Sequence, residues 1–134
     1  MNSPATAQPE VPVSWGELID KVTILEIKSE KLQSAAALEN VRRELALLEA
    51  FVVPIVAERG EIGQLKSELK AINLKLWDIE DRIREKEAAT EFDSEFIALA
   101  RSVYRTNDER SVVKKRINAQ LRSAITEEKS YAAY

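Results

Sequence analysis

A single apolar seam decides most of what this chain can become. Leu65, Leu69, Ile72, Leu76, Ile79 and Ile83 follow one another in alternating steps of four and three residues. That spacing gathers them on one side of an α-helix, whereas in a strand it would scatter them over both faces. From about Ile62 to Glu87 the predicted helix is roughly 39 Å long at 1.5 Å per residue. A compact domain of 134 residues is only about 36 Å across. The seam therefore predicts an elongated bundle rather than a sphere.

The rest of the chain reads the same way. Three Gly and four Pro are too few for the many turns of an all-β protein. Ser14 followed by Glu17 is a capping box that opens a first helix, which runs to about Leu32. Leu18, Val22, Leu25 and Leu32 form its apolar stripe, widened by Trp15 and Ile19. Ile24 and Ile27 lie on roughly the opposite side, so this helix is either sandwiched in a core or placed at a subunit interface. A second helix is predicted from about Ala36 to Phe51, with Leu38, Val41, Leu45, Leu48 and Val52 in period. Pro54 should end or kink it, and Gly60 and Gly63 mark the following loop. The last helix starts at the Asp93 cap and runs to about Arg122, with Phe96, Leu99, Val103, Ile117 and Leu121 on one face. The short turn Thr90 to Asp93 makes the third and fourth helices an antiparallel hairpin. The fold class expected is all-α: an elongated bundle of four main helices in two antiparallel hairpins, dimeric through Ile24 and Ile27.

Residues 1–12, with Pro4, Pro9 and Pro12, read as a disordered leader, and residues 13–134 as a single helical domain. The tail Thr126 to Tyr134 either docks back or frays. The leader lacks the basic start and apolar run of a secretory signal, and no stretch approaches a membrane span. A cytoplasmic protein with no membrane contact is expected.

Several function classes fall away on composition. The chain has no His and no Cys, which excludes disulfides, the usual zinc sites and catalysis by imidazole or thiolate. Its net charge of −3 supplies no drive toward nucleic acid or anionic lipid. Residues 1–99 carry 19 acidic and 12 basic groups, and residues 100–134 carry 4 and 8. The basic last helix is better matched to its acidic neighbours in the bundle than to nucleic acid. Glu80 and Asp81 point about 100° apart on a helix and would need further ligands from elsewhere to hold a metal, so a solvated face is the better reading. Neither a metal nor a cofactor is expected.

One feature resists a bland explanation. Between Val103 and Ile117 the apolar face of the last helix is interrupted by Arg110 and Lys114, with Asn107 at its edge. A buried unpaired cation is costly, so each needs a partner or water. On the third helix Asn73, Trp77, Glu80 and Arg84 form a second stripe beside the seam. With the turn near residue 90, facing residues sum to about 180. Asn107 then faces Asn73, Tyr104 lies near Trp77, and Arg101 lies near Glu80. Arg110 falls near Lys66 and Lys70 unless Glu17, Asp20, Glu26 or Glu30 of the first helix close over it. In one reading these polar pairs set the hairpin register. In the other, Arg84, Arg101, Arg110 and Lys114 line a cleft for a carboxylate or phosphate, which the forked guanidinium suits.

The strings VSWGELIDKVTILEIKSEKL (13–32), INLKLWDIEDRIREKE (72–87), ARSVYRTNDERSVVKKRIN (100–118) and EEKSYAAY (127–134) resemble an uncharacterised bacterial family of small all-helical proteins. The INxxLWxxED core and the ND-x-R string are also similar to a second helical family of unknown function, associated with lipopolysaccharide and sugar-transfer genes. The resemblance marks Asn73, Trp77, Glu80, Asp81, Arg84, Asn107, Asp108 and Arg110, and it implies a fold and a context but no mechanism. The function expected is a non-catalytic interaction or accessory module, partnered by itself or another protein in cell-envelope polysaccharide biosynthesis. The alternative is an anionic small-molecule site, enzymatic or not, between helices.

Overall fold

A computed structural model describes residues 6–134. Among the described residues there are four helices: α1 Trp15–Lys31, α2 Ala35–Glu58, α3 Gly60–Ala88 and α4 Ser94–Gln120. Residues 1–5 of the expected leader lie outside the described residues; residues 6–13 are exposed and belong to no helix. Among the described residues no helix is long and apolar enough to cross a membrane.

Each expected seam turns inward. Leu69 and Ile79 of α3, Val22 and Leu25 of α1, Val41 and Val52 of α2, and Leu99 and Ile117 of α4 are all buried. Ile19, Val22, Val52, Ile62, Leu69, Val113 and Ile117 form the central core, into which Trp15, Leu45, Leu65 and Leu121 pack. Val113 thus fills part of the gap expected between Val103 and Ile117, and Thr106, 2% exposed, fills more. Helix α1 touches all three other helices, whereas α2 packs on α1 and α3 only. The hairpin α1–α2 is closed by Lys21 with Glu44 at 2.9 Å. The hairpin α3–α4 is closed by Lys86 with Asp93 at 2.9 Å and by an Arg82–Glu95 pair. Opposite ends of α1 and α4 also meet, since Trp15 N–H donates to Ser123 Oγ at 3.1 Å.

The caps at Ser14 and Asp93 form, their side chains accepting from Glu17 and Phe96 N–H. Only half of the expected capping box is made, since the Glu17 carboxylate accepts from Lys114 instead of reaching back to Ser14. Two boundaries differ. Helix α2 continues through Pro54 to Glu58. Proline removes one bond to the carbonyl four residues back, and both Ala50 and Pro54 are exposed, so water can take the freed oxygen. Gly60 and Gly63 are not a loop but the opening turn of α3. Arg59 alone breaks the path, with φ −131° and ψ 101°. Its guanidinium donates to Glu61 at 2.9 Å and to the Gln120 carbonyl at 3.0 Å, tying the break to the end of α4.

Candidate functional site

Gly16, Asp20, Thr23 and Ile27 recur on α1 at helical spacing and share the side turned toward α3 and α4. Gly16 N–H donates to Asn118 Oδ1 at 2.7 Å. A Cβ there would stand 2.6 Å from the Lys114 carbonyl oxygen, so the close approach of α1 to α4 depends on glycine. One turn further, Asp20 is 1% exposed. Its Oδ1 accepts from Arg110 Nε at 2.9 Å and from Asn73 Nδ2 at 2.9 Å. Its Oδ2 accepts from Arg110 Nη2, completing a forked pair. Asn73 Nδ2 also donates to Thr23 Oγ1 at 2.9 Å, and the Thr23 hydroxyl donates to the Asp20 carbonyl at 2.7 Å. Lys114 Nζ stands 4.0 Å from Asp20 Oδ2. It donates to Glu17 at 2.7 Å and to Glu127 of the tail at 2.8 Å.

One carboxylate therefore joins three helices, and the adjacent lysine brings in the tail. Its hydrogen bond to Asp20 raises the Arg110 pKa above the ordinary value. Burial pulls Lys114 down, but its bonds to Glu127 and Glu17 outweigh that, and its pKa also ends raised. The same Lys114 holds Glu127 below the usual carboxylate range. Both cations are charged and already partnered. Asp20 thus accepts three of the roughly four hydrogen bonds a carboxylate can take, all from side chains of this chain.

The nine candidate side chains do not form one site. Asn73, Trp77, Glu80, Arg84, Asn107 and Arg110 line an open groove of about 540 Å³, with Ile24, Ile27 and Leu76 contributing apolar wall. Lys114 belongs instead to a polar cleft of about 230 Å³ with Glu17, Ser111, Glu127 and Lys129, and Arg110 stands between the two. Arg101 and Tyr104 line neither. The Arg101 guanidinium beside Tyr104 lowers its hydroxyl pKa, and the Tyr104 ring meets that of Tyr134 at 5.0 Å. Tyr134 in turn donates to Asp108. The tail docks back at both Glu127 and Tyr134.

The expected register pairs are replaced. Asn73 bonds Asp20 and Thr23 rather than Asn107, whose Oδ1 accepts from Arg110 at 3.4 Å. Glu80 lies 3.9 Å from Arg84 of its own helix rather than pairing with Arg101. A first-helix carboxylate outcompetes the facing hairpin partner because it offers Asn73 an anionic acceptor. Lys66 and Lys70 do not crowd Arg110, since Glu26 and Glu30 take them at 3.0 and 2.9 Å. Ile27 is 1% exposed and Ile24 half-buried, so of the two alternatives for α1 the sandwich holds at Ile27. Asp20 was visible beforehand only as one of four carboxylates, and Gly16, Asn118 and Glu127 gave no separate sign. The available signal was a glycine and a carboxylate one turn apart, in line with Ile27.

Among the described residues, no group of three or more acidic side chains is placed to hold a metal ion. No curated protein and no solved structure matches the chain significantly. A family model does match, over residues 9–134, in keeping with the resemblance of the helical strings to an uncharacterised family. On that match the chain belongs to the family described as a family of unknown function, DUF6165.

Proposed function

We propose that this chain is a non-catalytic accessory module of the bacterial cytoplasm that docks a partner protein in the groove between α1, α3 and α4, in the service of cell-envelope polysaccharide biosynthesis. The observation that carries the reading is the internal saturation of the Asp20 cluster. Of the four cations expected to hold an anionic metabolite, Arg110 and Lys114 are bound by Asp20, Glu17 and Glu127, Arg101 lies outside the groove, and Arg84 alone stands exposed in it, 3.9 Å from Glu80. What the groove has left to offer is an apolar wall of Ile24, Leu76 and half-buried Trp77, with Glu80, Asp81 and Arg84 exposed. A large aromatic in a groove ringed by polar groups is the usual anchor of a protein contact. The polysaccharide context rests on the resemblance of the INxxLWxxED and ND-x-R strings alone.

The test is genetic and biochemical together. Deleting the gene in its host should alter the envelope polysaccharide profile, and wild type should restore it where Trp77→Ala does not. A photo-crosslinker at Arg84 should capture a host protein in the wild-type background and lose it with Trp77→Ala. An unchanged profile on deletion overturns the context, and a crosslink indifferent to Trp77 overturns the groove. A thermal-shift panel of carboxylates and phosphates at millimolar concentration decides the small-molecule alternative. We expect no shift, because a ligand of the folded state would register as RT ln(1 + [L]/Kd) even when weak.

A further inference from the structure

Helix α2 is apolar on two sides. Inward, Val52 enters the core, and Leu45, Leu48, Ile55 and Val56 pack against it. Outward, Leu47, Phe51 and Val53 are 51%, 61% and 59% exposed. Ala46, Ala50, Pro54 and Ala57 lie exposed among them. Positions 43, 47, 51, 54 and 58 form one continuous stripe at helical spacing. α4 never reaches α2, so nothing among the described residues covers that stripe. Arg43 stands at one end, exposed and paired only with Glu39 at 2.9 Å along its own helix. Glu58 stands at the other end and takes part in no ion pair among the described residues.

The order along the stripe is cation, apolar patch, anion. Arg43 and Glu58 are equidistant from a point between Ala50 and Phe51. Turning a second α2 about a two-fold axis through that point sets each Arg43 against Glu58 of the other copy. Leu47 then meets Pro54. The alanines let the two helix axes approach to about 8 Å. A surface complementary to its own two-fold image is what an isologous dimer requires.

We propose that the outer face of α2 is a homodimer interface, in which the α2 helices of two copies pair antiparallel about an axis between Ala50 and Phe51. The pairing is independent of the groove, which lies on α1, α3 and α4. It moves dimerisation from α1, where Ile27 is closed inside the chain, to the helix that carries the exposed apolar surface.

The test is sedimentation equilibrium over a concentration series on the full chain, with circular dichroism to confirm folding. The wild type should be a reversible dimer, and Phe51→Asp a folded monomer. Arg43→Glu and Glu58→Arg, each placing two like-charge contacts in the dimer, should weaken association about tenfold. The double reversal Arg43→Glu/Glu58→Arg should restore it. Trp77→Ala should leave the dimer intact, so loss of the groove reading leaves this one standing. A monomeric wild type, or a dimer indifferent to Phe51→Asp, overturns the interface. Single reversals without effect, or a double reversal that fails to rescue, overturn the antiparallel pairing.

Discussion

Asp20 is the side chain on which α1, α3 and α4 converge, and its energetics are those of a buried ion pair. Removing one partner costs more than the pair contributes, because the other charge is left without compensation. Asp20→Asn should therefore destabilise the protein by about 3 kcal/mol, a fall in melting temperature of about 10 °C for a chain of this length. Differential scanning calorimetry reads this directly, and Arg110→Ala should fall in parallel. Were both near neutral, the cluster would not be what holds the three helices together. Gly16→Ala should also destabilise the fold, by about 2 kcal/mol, because its Cβ meets backbone oxygen rather than a yielding side chain. Arg110, Lys114 and Asn73 were legible because cations and an amide inside an apolar stripe break the pattern. Asp20 was less so. Its burial comes from where α3 and α4 cross α1, and no local spacing encodes a crossing.

At the scale of the element, the helix starts were readable because Ser14 and Asp93 cap them chemically. The stops were less readable, because two of them are made by residues that do not favour the conformation. Thr90 and Arg122 sit in the left-handed region at φ 56° and 52°. Each lets the next residue reach back, with Glu91 N–H on Lys86 O at 2.9 Å and Ser123 N–H on Asn118 O at 2.8 Å. Glycine is the residue such stops prefer, and a β-branched residue there is strained. Thr90→Gly should thus stabilise the hairpin by about 1 kcal/mol, seen as a higher denaturant midpoint with an unchanged slope. Pro54 and the paired glycines misled for the complementary reason. A solvent-facing carbonyl makes a proline tolerable, and a single extended residue at Arg59 is enough to separate two long helices.

For the whole molecule, ionisation sets an acid limit. Glu127, Asp93, Glu95 and Glu61 all have lowered pKa values. Lys114 depresses the first. Lys86 depresses Asp93 and Glu95, and a backbone hydrogen bond followed by Arg59 depresses Glu61. A carboxylate lowered in the folded state contributes stability above its unfolded value, here 4.5 for the glutamates and 3.8 for Asp93. That contribution is lost as pH falls through the folded value. Stability should be flat from pH 7 to about 5 and then decline. The tail should loosen in the same range as Glu127 protonates and releases Lys114. Amide relaxation of residues 124–134 by NMR would follow this, and Glu127→Gln should reproduce the loosened tail at pH 7. A tail equally ordered in that variant would assign the docking to Tyr134 alone.

The contact between Trp15 and Ser123 gives the helical path the topology of a nearly closed circuit. It leaves and returns at one place, with Gly16 on Asn118 as the clasp. Order along such a circuit matters less than the circuit itself. A permuted chain that joins the tail to Val13 through a short flexible linker, and opens instead at Gln33 between α1 and α2, keeps every helix and every bond of the Asp20 cluster. It should refold to the same architecture and share its melting behaviour to within a few degrees.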